Sequence, residues 1–278
     1  MSVKIRAHRP GAESGRRIGA RRAKVKRGRI LTSSSPACNL LAASSGIPPL
    51  LQDIILALPV LVFSLVAHEY AHGVAALRQG DDTAYMLGRL TLNPVPHIDP
   101  IMTVLMPALL LWVSGGSFAF GGAKPIPVNP RKYRHFKRGD IIVSAAGVMT
   151  NLGLSLICAL LFVCLGFLAA AAPALTGVVA TAQRMMMWGV WLNLILCFFN
   201  LIPIPPLDGS HLFYYLLPPG LGARYRAFQR FGILPLLALM LLAPGVIRWL
   251  LGPAYYGMAL LQHLIAPFAV GEGWNIFT

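Results

Sequence analysis

Residues 54–72 read Ile54-Ile55-Leu56-Ala57-Leu58-Pro59-Val60-Leu61-Val62-Phe63-Ser64-Leu65-Val66-Ala67-His68-Glu69-Tyr70-Ala71-His72. The first fourteen carry no charge, and the last five bring two imidazoles and a carboxylate. Positions i and i+4 of a helix share a face, so His68 and His72 can reach one ion, with Glu69 beside the first to take a proton from metal-bound water. The bland alternative is a pair of helix histidines with a snorkelling acid. It is weakened by the apolar run, because an unpaired charge at membrane depth costs roughly 2.5–3.5 kcal/mol.

The rest of the chain supports a membrane setting. Of 278 residues, 56% are hydrophobic and 12% charged, with a mean hydropathy of +0.65. A soluble domain carries about twice that charged fraction. No Asp, Glu, Lys or Arg lies between Asp140 and Arg184, between Arg184 and Asp208, or between Arg230 and Arg248. A crossing needs about 20 apolar residues, so the chain is expected to be an all-α polytopic membrane protein.

The pattern predicts a helix over about 51–77, ended by Gly80-Asp81-Asp82, then a polar connection with turns at Asn93-Pro94 and Asp99-Pro100. Residues 101–123 are neutral but interrupted by Pro107 and four glycines at 115, 116, 121 and 122. A basic loop from Lys124 to Arg138 follows, and Asp140 just after it is expected in a turn outside any cleft. Further spans are expected over 141–170 and 185–204, with a short apolar piece near 212–217 and helices near 231–250 and 255–267.

Catalytic zinc takes three protein ligands and keeps a fourth position for water. The best third candidate lies in Asn200-Leu201-Ile202-Pro203-Ile204-Pro205-Pro206-Leu207-Asp208-Gly209. Asp208 is the only acid between Asp140 and Glu272, and the prolines before it must break the helix. A broken helix at membrane depth is tolerated where it lines a cavity or packs in protein. Otherwise the segment would be a proline turn at the surface carrying a solvated Asp208.

With both motifs in view, the chain resembles the site-2 protease family of intramembrane zinc metalloproteases, peptidase family M50, in its short form without an appended PDZ or CBS domain. That family's second signature, N-x-x-P-x-x-x-L-D-G, is met by Asn200, Pro203, Leu207, Asp208 and Gly209. A third, A-G-P-x-x-N, is met in Ala146-Gly147-Val148-Met149-Thr150-Asn151, with Val148 in place of proline. The likeness spans roughly residues 50–250. It implies a three-helix catalytic core with flanking transmembrane helices, and one Zn2+ per chain on His68, His72 and Asp208. Zinc-activated water with Glu69 as general base would then hydrolyse transmembrane protein substrates. It also implies that Asn200 and Asn151 lie near the substrate or oxyanion, against which stands a helix-packing role for Asn200.

For the ligands to meet, the 51–77 and 185–204 helices must cross the membrane in the same direction. With 141–170 between them, 101–123 must enter and leave on one face, as a re-entrant Gly-rich loop over 115–122 that could pair with an unwound substrate; a plain kinked span is the alternative. The basic loops 124–138 and 224–230 then share one side, the cytoplasmic one, in a bacterial inner membrane rather than an organelle.

The remaining segments lack catalytic features. Eleven of the 24 Lys and Arg residues fall between Lys4 and Arg29. Residues 1–47 are expected to be a basic disordered tail or surface anchor, not a nucleic-acid site. Residues 48–270 would be the protease domain and 271–278 a short C-terminal tail. Cys38, Cys158, Cys164 and Cys197 form no C-x-x-C pair and suit buried small hydrophobes. His211, three residues past Asp208, could approach the site or sit at the interface; His97 and Asp99 suit a turn that caps the next segment. Rival functions are a non-proteolytic pseudoprotease on the same fold and a transporter, since broken helices and midplane charges also mark ion paths.

Overall fold

The computed structural model describes residues 48–113 and 121–277. The N-terminal tail, Cys38 and most of the Gly-rich stretch at 115–122 lie outside the described residues. Among those described there are helices and no strands: α1 Pro49–Gln79, α2 Thr83–Met86, α3 Met106–Val113 (entered through a π-helical turn, Pro100–Leu105), α4 Phe136–Ala171, α5 Thr176–Asn200, α6 Asp208–Tyr214, α7 Pro219–Phe228, α8 Leu234–Leu242, α9 Pro244–Leu250 and α10 Gly252–Ile265. The chain is an all-α membrane protein. Three of its helices are long and apolar enough to cross a bilayer, and α7–α8, bent by 83°, could make a fourth.

α1, α4 and α5 form the core, and their ends show how they run. At one end Arg184 of α5 grips Asp53 of α1 at 2.9 Å, and the Trp188 indole N–H donates to the same carboxylate at 3.2 Å. At the other, α1 closes at Gly80 (φ 111°) with the Asp81 amide on Ala76 O, a Schellman stop. There the Arg134 amide, just ahead of α4, donates to Gln79 O at 2.8 Å. α1 and α5 therefore run parallel, with α4 antiparallel to both. The Ser155 hydroxyl on Val190 O and the Gln183 amide on Phe162 O fix the same antiparallel register between α4 and α5.

Burial is inverted relative to a soluble protein. Leu156, Ile157, Leu160 and Leu161 of α4 are exposed, whereas Asn151, Ser155, Gln183 and Asn193 are buried. Polar side chains inside and aliphatic ones outside suit a molecule whose solvent is lipid. Cys164 lies on the exposed surface and Cys197 is buried, so only part of the cysteine expectation matches.

Three boundaries differ from the sequence reading. α4 begins at Phe136 rather than 141, so Asp140 lies in a helix and is buried, not in a turn. At 36 residues α4 is about 54 Å long, and its charged first turns overhang a hydrocarbon core of about 30 Å. α5 begins at Thr176 rather than 185, because Asp53 satisfies Arg184 within the helix. The 231–250 stretch breaks at Gly232 (φ 55°) and before Pro244. At the C-terminus, the Val270 amide donates to Gln183 Oε1 at 2.8 Å, and Trp274 and Ile276 pack on the core around Phe162 and Met187.

Candidate metal centre

His68 and His72 lie on the last third of α1, one turn apart. α5 ends at Asn200, and residues 201–207 turn through three prolines, with the Pro205–Pro206 bond cis, to start α6 at Asp208. Ile202 and Leu207 hold this turn by packing against Leu236, Met240 and Ile247. Asp208, 208 residues into the chain, thereby meets the α1 histidines.

The distances define a small cage. Asp208 Oδ2 lies 3.2 Å from His68 Nε2 and 3.3 Å from His72 Nε2, and the two Nε2 atoms are 3.0 Å apart. His72 Nδ1 is 2.7 Å from Val143 O, so Nδ1 carries the hydrogen and Nε2 turns a lone pair toward the shared point. A lone pair of His72, a ring nitrogen of His68 and a carboxylate oxygen thus converge, an arrangement that suits a cation between them. Two ligands about 2.0–2.1 Å from a tetrahedral ion are themselves about 3.3 Å apart, close to all three separations. Side-chain exposure is 8% for His68, 12% for His72 and 19% for Asp208. These three are the group among the described residues that could hold a metal ion, and the donor set suits zinc.

Close approach is possible because α4 presents Gly147. A Cβ there would lie 2.5 Å from both His68 Cε1 and His72 Nε2. Glu69, next to the first ligand, accepts the Ile126 amide on Oε2 at 2.8 Å. Ile126 belongs to an extended stretch pinned on either side: the Lys124 amide donates to His97 O at 2.7 Å, and the Asn129 amide to Asp81 Oδ2 at 2.5 Å. In Pro125-Ile126-Pro127 only Ile126 has an N–H to give, a signal present in the sequence that motif reading passed over.

The other singled-out residues are not among the three that converge. Asp99 accepts the Ile101 and Met102 amides as a helix cap, and His97 Nε2 faces Thr91 O at 3.0 Å. His211 turns its Nδ1 to Asp140 Oδ1 at 3.4 Å, and the Tyr215 hydroxyl donates to Asp140 Oδ2 at 2.8 Å. Asn200, partly exposed, donates back to Leu196 O at 2.9 Å. Asn151 has no exposed surface.

Comparison with known proteins gives the family. The family model described as Peptidase family M50 matches residues 56–242, a stretch that holds all three cage residues and Glu69. The chain belongs to peptidase family M50. A protein from Bacillus subtilis (strain 168), named "Putative zinc metalloprotease YwhC", is 38% identical over 190 residues, covering 66% of this chain and 80% of that one. Rip2 of Mycolicibacterium smegmatis, named in the same terms, is 29% identical over 200 residues, 70% of each chain. Rip2 of Mycobacterium tuberculosis H37Rv is 27% identical over 218 residues, 77% of this chain and 78% of that one. No solved structure matches at a comparable level. As a member of M50 the protein is a metalloprotease.

Proposed function

We propose that this metalloprotease hydrolyses peptide bonds of transmembrane protein substrates within the bilayer, with one zinc per chain held by His68, His72 and Asp208. The observation that carries the reading is the cage of two Nε2 atoms and one carboxylate oxygen within 4.8 Å of one another, beside an acid on the same membrane helix.

Zinc, when bound, polarises a water molecule and the scissile carbonyl. Glu69 is the general base. Its Oε2 is held by the Ile126 amide, which leaves the second oxygen to take the proton of the attacking water and pass it to the departing nitrogen. The substrate must first unwind, because a helix locks its amides in i to i−4 bonds. Asn200 ends α5 in the segment that leads to Asp208, and its partial exposure supports an amide that pairs with unwound substrate backbone. Full burial of Asn151 favours a role other than touching substrate.

The metal end of the core is also the basic end. Arg134 lies beside the close of α1, and Lys137 and Arg138 follow it in the first turn of α4, which supports a site toward the cytoplasmic face of a bacterial cell membrane. The test is the purified chain in liposomes with a single-span substrate. Cleavage should stop on chelation, return with zinc, and be absent from Glu69→Gln at unchanged zinc content. Cleavage by a zinc-depleted sample would contradict the reading.

A further inference from the structure

The two histidines are not supported alike. His72 donates its Nδ1–H to Val143 O at 2.7 Å, whereas His68 Nδ1 is buried with no hydrogen-bond partner. Metal-binding histidines nearly always donate the second ring N–H, which fixes tautomer and ring orientation. Three other unpaired atoms lie in the same helix seam: Asn151 Oδ1, Asn151 Nδ2 and Asn193 Oδ1.

Register brings them together. On antiparallel α4, Val143 meets His72, Gly147 one turn on meets both rings, and Asn151 is the next turn. On α1 the matching step back from His68 is Ser64, whose hydroxyl oxygen accepts the Asn193 amide of α5 at 2.9 Å. Ser155 on Val190 O sets α4 against α5 so that Asn151 is level with Asn193. Helix side chains lean toward their own N-terminus, so His68 leans toward the level of Ser64 and Asn151. Nδ1 is the ring nitrogen nearer the main chain, while Nε2 meets Asp208.

The four unpaired atoms also match in kind. With Nε2 on the metal, His68 carries its hydrogen on Nδ1 and is a donor there, as is Asn151 Nδ2; Asn151 Oδ1 and Asn193 Oδ1 are acceptors. Asn193 already spends its Nδ2 on Ser64 and Gly189 O, so its oxygen is the free end. We propose that Asn151 is the positioning residue of His68 when the metal is bound: rotation of side chains that are unpaired here lets its Oδ1 accept the His68 Nδ1–H and its Nδ2 donate to Asn193 Oδ1, with Asn193 anchored on Ser64. Asn151 thereby fixes the ring whose Nε2 binds the metal. The proposal rests on the metal-site reading above.

The test measures zinc affinity, by competition with a chromophoric chelator, and metal-free thermal stability of the full chain in detergent. Asn151→Leu keeps the shape and removes both polar atoms. It should weaken zinc 10–100-fold, the usual effect of losing an outer-shell partner, without lowering the metal-free melting temperature. Asn151→Asp should restore affinity, because a carboxylate accepts the same N–H. The proposal is overturned if Asn151→Leu binds zinc like wild type, or if Leu and Asp both lose zinc in step with a fall in melting temperature. Failure of the wild type itself to bind zinc would instead sink the metal assignment, and this proposal with it.

Discussion

The three-helix core carries a carboxylate cluster at each end, and the two differ in how their charges are answered. At one end Asp53 has a bidentate guanidinium and an indole N–H around it, every member with a partner. At the other Asp208 meets two imidazole nitrogens, one a lone pair fixed by Val143 O, and its buried Oδ2 receives no hydrogen bond. The first joins α1 to α5, the second α1 to the start of α6. The first is complete and holds the helices in register; the second brings a lone pair, a carboxylate oxygen and a second ring nitrogen to one point, which suits a cation. The presence of an acid in a membrane helix does not separate structure from site, but the balance of donors and acceptors does.

That contrast can be broken by substitution. The largest expected effect is on chemistry: Glu69→Gln removes the general base and should lower cleavage by about 10²–10⁴-fold at unchanged zinc content. Substrate turnover and metal analysis on one preparation check it. Next, Gly147→Ala places a methyl group 2.5 Å from both rings. The rings must move, and zinc affinity should fall at least about tenfold, comparable to loss of an outer-shell partner, while the Asp53 end and its contribution to melting remain.

Asp53→Asn should act in the opposite sense. Breaking a fully buried pair costs about 3–5 kcal/mol, and the partial exposure of this one reduces that to about 1–3 kcal/mol. Melting in detergent should drop while zinc content stays the same. The smallest effect belongs to Lys132→Ala. Its ammonium, by hydrogen bond first and charge second, holds the exposed Asp82 carboxyl below its ordinary range. A depressed carboxylate adds stability above its unfolded value and loses it as pH falls through the folded one. Any difference from wild type should therefore be slight near neutrality, weaker in salt, and absent in strong acid.

How much of this the sequence carried depends on whether a feature is local. His68 and His72 are legible because one helix turn relates them, and Asp208 because an acid, three prolines and a glycine are contiguous. The parallel run of α1 and α5 follows from requiring those ligands to meet, and the ends of the helices agree with it. The Asp53–Arg184 pair had no local signal, being 131 positions apart, so Arg184 read as a span boundary. Asp140 was misplaced for a related reason: a charge-free run marks the hydrocarbon crossing, whereas α4 continues beyond it into water, where Tyr215 and His211 engage that carboxylate. The break at Gly232 and Pro244 was visible as residue types but was outweighed by the apolar run.

The most direct test of the central claim is the zinc-to-protein ratio of three purified chains: wild type, Asp208→Ala and Asp53→Asn. The account predicts about one zinc per chain in wild type and in Asp53→Asn, and well below that in Asp208→Ala, which loses a ligand and the negative charge that offsets the ion. Wild-type zinc in Asp208→Ala together with loss of zinc in Asp53→Asn would contradict it, because the two ends of the core would then have been assigned the wrong way round.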